Sequence, residues 1–190
     1  SMTYPEALAF IDGLLTRARP AAASPESVKL RRTEALLDRL GNPHRRIRTV
    51  LFAGTKGKGS TAAMLSCVLQ AAGYRVGLYT KPHLVDYRER IRVDGDLITP
   101  EALAGAVESL QPHAEAMAAS PLGLPTYFEV SVALAFLHFA RAQVDLALGQ
   151  ILGLLARTPA AQLKPLRSPQ GLQPGPDWLH LYTEASRLAF

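Results

Sequence analysis

The chain has 190 residues, 48% of them apolar and 19% charged, with a net charge of +5 and a single cysteine. That length holds one domain with a real core and is marginal for two; the composition excludes a disordered chain, and one cysteine excludes an intramolecular disulfide and fits a reducing compartment. The positive excess lies in Arg31 and Arg32, in Arg45, Arg46 and Arg48, and in Arg88, Arg90 and Arg92, without interleaved aromatics, so a small molecule carrying phosphate or carboxylate is expected rather than nucleic acid.

In chain order, Thr3-Tyr4-Pro5-Glu6 reads as a capping box with proline at the first helical position, and Leu8, Ile11 and Leu15 then share a helical face. After an alanine, serine and proline loop, Ser24-Pro25 opens a second helix carrying Leu36, Leu37 and Leu40, which Gly41, Asn42 and Pro43 end. Residues 49–53 are a short apolar run of the kind that becomes a buried parallel strand. Residues 60–72 predict a helix with Leu65, Val68, Leu69 and Ala72 inward and Cys67 as small core filler. A second strand is expected over 75–79, which makes a strand–turn–helix–strand unit. A polar and basic loop follows over 81–95, with an extended piece RIRVDG whose alternating charges read as a solvated face. Thr99-Pro100 caps a helix to about Leu110, 111–125 is a loop with three prolines, 126–140 is a helix with Val130, Leu134 and Leu137 inward, and 144–148 is a third strand. The apolar run 130–140 is too short to span a bilayer and is broken by Ser131 and His138. No charged segment followed by an apolar stretch opens the chain, so a cytoplasmic protein without a membrane partner is expected.

The turn at 54–61 carries the chemistry. Between a strand and a helix, glycines let backbone N–H groups converge on a ligand. The helix start adds unsatisfied donors and the positive end of its dipole. A lysine supplies charge to phosphates, and a hydroxyl can donate to phosphate or ligate Mg²⁺. Gly54, Gly57, Lys58, Gly59, Ser60 and Thr61 meet these needs, and Thr55 and Lys56 lie within the same turn. The spacing is not the common G-x-x-x-x-G-K-[ST]. A tight turn with a snorkelling lysine is the bland alternative.

The variant AGTKGKGST resembles the phosphate loop of the Mur ligase superfamily, and within it that of the folylpolyglutamate synthase/dihydrofolate synthase family, which usually reads G-T-N-G-K-G-S. LGNPH (40–44), GYRVGLYTKPHL (73–84), YRERIRVDG (87–95) and TYFEV (126–130) occur in that family's order. The resemblance covers about residues 4–148. It implies an α/β fold, a three-layer P-loop domain with a mostly parallel sheet, here incomplete. The domains are then the N-terminal part of the ATP-binding domain over 1–148 and a divergent tail over 149–190.

It also implies an ATP-dependent ligase that joins L-glutamate to dihydropteroate or folate through an acyl phosphate, with ATP and Mg²⁺ as cofactors. The phosphates would be held within 54–61. Lys58 and His83 are the candidate catalytic residues, Ser60 and Thr80 the candidate metal ligands, and Thr126, Tyr127 and Phe128 border the pterin pocket. Thr126 and Glu129 equally satisfy a plain capping box.

Two departures stand out. Lys56 replaces the usual asparagine, and Lys81 replaces a serine that assists Mg²⁺; an ammonium cannot ligate a metal, so Thr80 or Ser60 takes over, the metal site is altered, or Lys81 is a solvated loop residue. Beyond 148 the family's E-V-G-L-G-G-R signature is missing, with the neutral Gln150 near its glutamate. The expectations drawn from this are an impaired ligase, with a non-catalytic nucleotide- or folate-binding module, or another P-loop phosphotransferase, as alternatives. Self-association through an exposed sheet edge is expected as well.

Overall fold

The structure, a computed structural model, describes residues 1–17, 26–52 and 57–149. Its helices are α1 (Tyr4–Arg17), α2 (Glu26–Arg39), α3 (Lys58–Ala71), α4 (Pro100–Ala118) and α5 (Tyr127–Arg141). Its strands are β1 (Arg48–Leu51), β2 (Val76–Tyr79), β3 (Ile91–Val93), β4 (Asp96–Leu97) and β5 (Leu146–Gly149). Single 3₁₀ turns occupy Pro43–Arg46 and Tyr87–Arg90. The expected turn residues Gly54, Thr55 and Lys56, the start of α2 at Ser24-Pro25, Gln150 and the rest of the expected tail lie outside the described residues.

The sheet order is β1-β5-β2-β3-β4. β5 lies between β1 and β2 and is parallel to both, while β3 and β4 add antiparallel pairings. Four strands therefore share one direction. Alternation along each strand divides the interior in two. Val50, Val76, Leu78, Leu146 and Leu148 face α3, where they meet Ala62, Leu65 and Leu69. Leu51, Tyr79 and Ala147 face the larger core built from α1, α2, α4 and α5. This is the expected three-layer α/β arrangement.

α5 lies innermost, buried along Glu129–Leu137 and at Phe139. A helix apolar all round belongs in a core, and among the described residues no helix is long and apolar enough to cross a membrane. Phe139 packs so closely on β2 that a Cβ at Gly77 would lie 2.7 Å from its ring.

Several local expectations are corrected. α1 buries Ala7, Phe10, Ile11 and Leu14, leaving Leu15 65% exposed. α3 turns Ala62, Ser66 and Leu69 inward, so Val68 and Cys67 are exposed. Both helices have apolar residues off the buried stripe, and the i, i+4, i+7 stripe that meets the sheet is one register away from the expected one. α4 runs through Pro112 to Ala118 instead of ending near Leu110, because Ala114 and Met117 continue its buried face. Pro112 does remove an intrahelical N–H, yet burial on both sides of it holds the helix together. The charged piece at 88–92 is not uniformly solvated, since Arg90 is buried.

Candidate functional site

Three parallel strands end in one row, because Leu51 pairs with Gly149 and Gly149 with Tyr79. Phe52 N–H continues the pairing to the Gly149 carbonyl at 3.1 Å. The carboxyl ends of such strands are where α/β sheets bind ligands. β1 leads from this row towards α3, and β2 leads straight into Thr80 and Lys81.

α3 begins with Gly57 as N-cap at φ 75°, with no side chain capping it. That left-handed φ is why glycine stands there. The first-turn N–H groups of Lys58, Gly59 and Ser60 are thus not satisfied by an N-cap side chain, and a Cβ at Gly59 would meet nothing within 4 Å. The approach to the backbone at Gly59 is thus open, at the positive end of a helix. Ser60 is exposed. Thr61 spends its hydroxyl proton on the Gly57 carbonyl at 2.9 Å, leaving its lone pairs free.

Beside β2, the loop 80–90 is ordered by one carboxylate. Glu89 accepts from the N–H groups of Leu84, Val85 and Asp86 at 2.8–2.9 Å. Those backbone donors hold its carboxyl down at about 2. Asp86 accepts from Arg88 and Tyr4, and chiefly the Arg88 side chain brings it to about 2 as well. Thr80 donates its hydroxyl to the Glu89 carbonyl at 3.3 Å.

The start of α5 joins this loop. Thr126 accepts from Glu129 N–H and Glu129 accepts from Thr126 N–H, the expected capping box. Thr126 is therefore a buried cap, while Tyr127 and Phe128 are half-buried. Lys81 Nζ stands 4.3 Å from the Phe128 ring centre. Arg90 lies 5.3 Å from the ring of Tyr127 and 5.8 Å from that of Tyr87. Its Nε donates to His83 Nδ1 at 2.8 Å. Arginine only donates, so His83 carries its proton on Nε2 and its Nδ1 is not available as a base. Burial pushes the Tyr79 phenol, beneath this cluster, up to about 12.

Of the expected site residues, the structure brings Tyr127, Phe128 and His83 to the loop that follows β2, with Lys81 and Arg90 among them. Burial, then the charges of Arg90 and Lys58, lower the Lys81 pKa, which places Lys58 of the α3 turn within electrostatic reach. Ser60 and Thr80 offer only neutral hydroxyls, and the acids of this loop are committed elsewhere. Among the described residues no group of three or more His, Cys, Asp or Glu could hold a metal ion. This donor set, poor in free acids and rich in cations, suits phosphate and does not suit a Mg²⁺ held by these residues alone.

One contributor escaped sequence reasoning. Arg32 of α2 donates through Nε and Nη2 to both Glu129 oxygens, at 2.6 and 2.8 Å, and through Nη1 to the Leu122 carbonyl at 3.2 Å. The two side chains are 3% and 2% exposed. The signal was its place four residues before Leu36, on the buried face of α2. An open groove of about 550 Å³, lined by Met2, Phe10, Glu108 and Gln111 among others, includes none of the expected site residues.

No family model matches the chain. It is 45% identical over 111 residues to the dihydrofolate synthase/folylpolyglutamate synthase of Bacillus subtilis, covering 58% of this chain and 26% of that protein. It is 42% identical over 150 residues to a probable bifunctional folylpolyglutamate synthase/dihydropteroate synthase of Haloferax volcanii, covering 79% and 17%. The chain thus spans about a quarter or less of these curated relatives. Among solved structures, an FPGS–AMPPCP–folate complex superposes with a TM-score of 0.69 at 35% identity, covering 84% of this chain and 38% of that one. Alike in sequence and in fold over most of its described length, the chain belongs to the folylpolyglutamate synthase/dihydrofolate synthase family, as a counterpart of its members' N-terminal part.

Proposed function

We propose that this chain supplies the nucleotide site and one wall of the folate site of an ATP-dependent ligase that adds L-glutamate to dihydropteroate or folate. The observation that carries it is the glycine-led start of α3, whose N-cap Gly57 makes no side-chain cap, at the same end of the sheet as the aromatic start of α5. The likeness to a synthase complexed with AMPPCP and folate supports both halves.

In this reading the α3 turn, with Lys58, cradles the triphosphate. Phe128 and Tyr127 pack against the flat heterocycle. A substrate carboxylate oxygen attacks the γ-phosphorus and ADP leaves. The glutamate amine then attacks the acyl carbon, and phosphate departs with the transferred oxygen. Catalysis is mostly positioning and neutralisation of phosphate charge. The Ser60 and Thr80 hydroxyls would be the neutral donors this chain offers to a Mg²⁺ brought by the nucleotide, which would supply charge neutralisation.

The test has two arms. Lys58→Ala weakens AMPPCP binding by calorimetry at least about tenfold; unchanged affinity refutes the phosphate assignment. Folate labelled with ¹⁸O in its carboxylates, given with ATP and glutamate, delivers one ¹⁸O to the released phosphate. Binding of AMPPCP and folate with no label transfer assigns the chain a non-catalytic binding role instead.

A further inference from the structure

Arg90 is 8% exposed, yet its guanidinium has no carboxylate partner among the described residues. Its neighbours are neutral: His83, which accepts from its Nε, and the rings of Tyr87 and Tyr127. Burying a cation among neutral groups is costly unless a counter-charge arrives. Lys81, held over the adjacent ring of Phe128, likewise has no acidic partner among the described residues. The acids that could have served them are engaged elsewhere. Glu89 caps three backbone N–H groups, Asp86 pairs with Arg88, and Glu129 is clamped by Arg32. The fold thus gathers two cations at the carboxyl end of β2 and gives the carboxylates of Asp86, Glu89 and Glu129 other partners, while Asp12 makes no ion pair with either cation and acts at longer range on Tyr127. The end of β1, which leads to the α3 turn, is separated from the end of β2 only by β5, about 10 Å away by ordinary strand spacing.

We propose that Lys81 and Arg90 form a second phosphate-binding element beside the α3 turn, one that neutralises the terminal phosphoryl group of a bound nucleoside triphosphate with charge that a divalent cation would otherwise carry; it rests on the nucleotide site proposed above. Arg90, buried and fixed by His83, provides a static positive field. Lys81 is the movable partner. Its side chain is exposed overall although its ammonium is partly covered beside the Phe128 ring, and that ring contact is of a kind that is weak where water reaches it. Its stem is long enough to turn from the ring to an incoming oxygen. The predicted property is preference for a triphosphate over a diphosphate without metal.

Calorimetry on the full chain tests it, with AMPPCP and ADP as probes, in EDTA and again in Mg²⁺. In EDTA the unaltered protein binds AMPPCP about tenfold more tightly than ADP, as one charge-assisted contact provides. Lys81→Ser brings the two nucleotides within about twofold of each other in EDTA, and Mg²⁺ restores the preference. Lys81→Arg, which keeps the charge, keeps the preference in EDTA. The same AMPPCP preference in EDTA with and without Lys81, or none in the unaltered protein, overturns the inference and leaves the α3 site standing. Failure of both nucleotides to bind either protein overturns the nucleotide site and this element together.

Discussion

Single atoms decide some positions of this fold. Gly77 sits in the middle of β2, where a Cβ would lie 2.7–2.8 Å from three carbons of the Phe139 ring. Neither residue reads as special in the sequence, because a strand glycine and a helix phenylalanine become partners only when α5 lies on the sheet. Gly77→Ala forces the ring or the strand to move, at about 1–3 kcal/mol for overpacking of this kind. Urea unfolding measures the loss, and Phe139→Leu added to Gly77→Ala recovers part of it by giving the methyl room. A Gly77→Ala protein as stable as the parent would mean that β2 and α5 are not packed as described. Gly57 differs, since its neighbourhood is empty and only its positive φ demands glycine. That demand was visible in the sequence, because a glycine run between an apolar strand and a helix has few other uses.

At the scale of elements, the join of α2 to α5 has the largest consequence for the site. Glu129 caps its own helix and receives Arg32 at the same time, so α2 fixes the turn that presents Tyr127 and Phe128. Removing one partner of a buried pair strands the other charge, at about 3–5 kcal/mol. Arg32→Met should therefore cost that much, Glu129→Gln somewhat less because it keeps the shape, and the double variant less than their sum. Denaturant titration of all four proteins yields the coupling, and additive losses would show that the pair contributes nothing specific. Elements themselves were largely legible. β2 and β5 read as short apolar runs because both faces of a central parallel strand are covered, β1 is a half-buried strand at the end of the described sheet, and the capping boxes at Thr3 and Thr126 mark the starts of α1 and α5. Pro112 misled because its local penalty is set against burial of Ala114 and Met117, which only the packed helix reveals. The Arg32–Glu129 pair spans 97 residues, a separation at which a single sequence carries no pairing signal.

Across the whole molecule, the site residues meet because β5 inserts between β1 and β2 and lines up three strand ends, and nothing local in the sequence encodes that order. What composition does encode is a response to acid, and it can be worked out by sign. His44 is 7% exposed, packs edge-on to Phe136 at 6.0 Å, and has no hydrogen bond to Nδ1. Burial, then the Arg45 charge, lowers its pKa from 6.5 to about 4. The folded state thus holds His44 neutral while the unfolded chain protonates it near 6.5, so its contribution is complete above that pH and is lost as pH falls towards 4. A shift of this size corresponds to roughly 3 kcal/mol. His138, lowered chiefly by burial, acts with the same sign. Glu89 and Asp86, each held at about 2, contribute stability that is complete above the ordinary carboxylate range and is lost as pH falls through it towards 2. Two windows follow: a histidine loss between about pH 6.5 and 4, then a carboxylate loss from about 4.5 down to 2. His44→Gln, close in shape and unable to charge, should flatten the first window and leave the second unchanged. Urea unfolding at intervals from pH 7 to 3, with the His44 ring titration followed by NMR, separates the two. Parallel profiles for His44→Gln and the parent, or a His44 midpoint near 6.5, would show that the LGNPH turn admits a charged imidazole and is not packed against α5 as described.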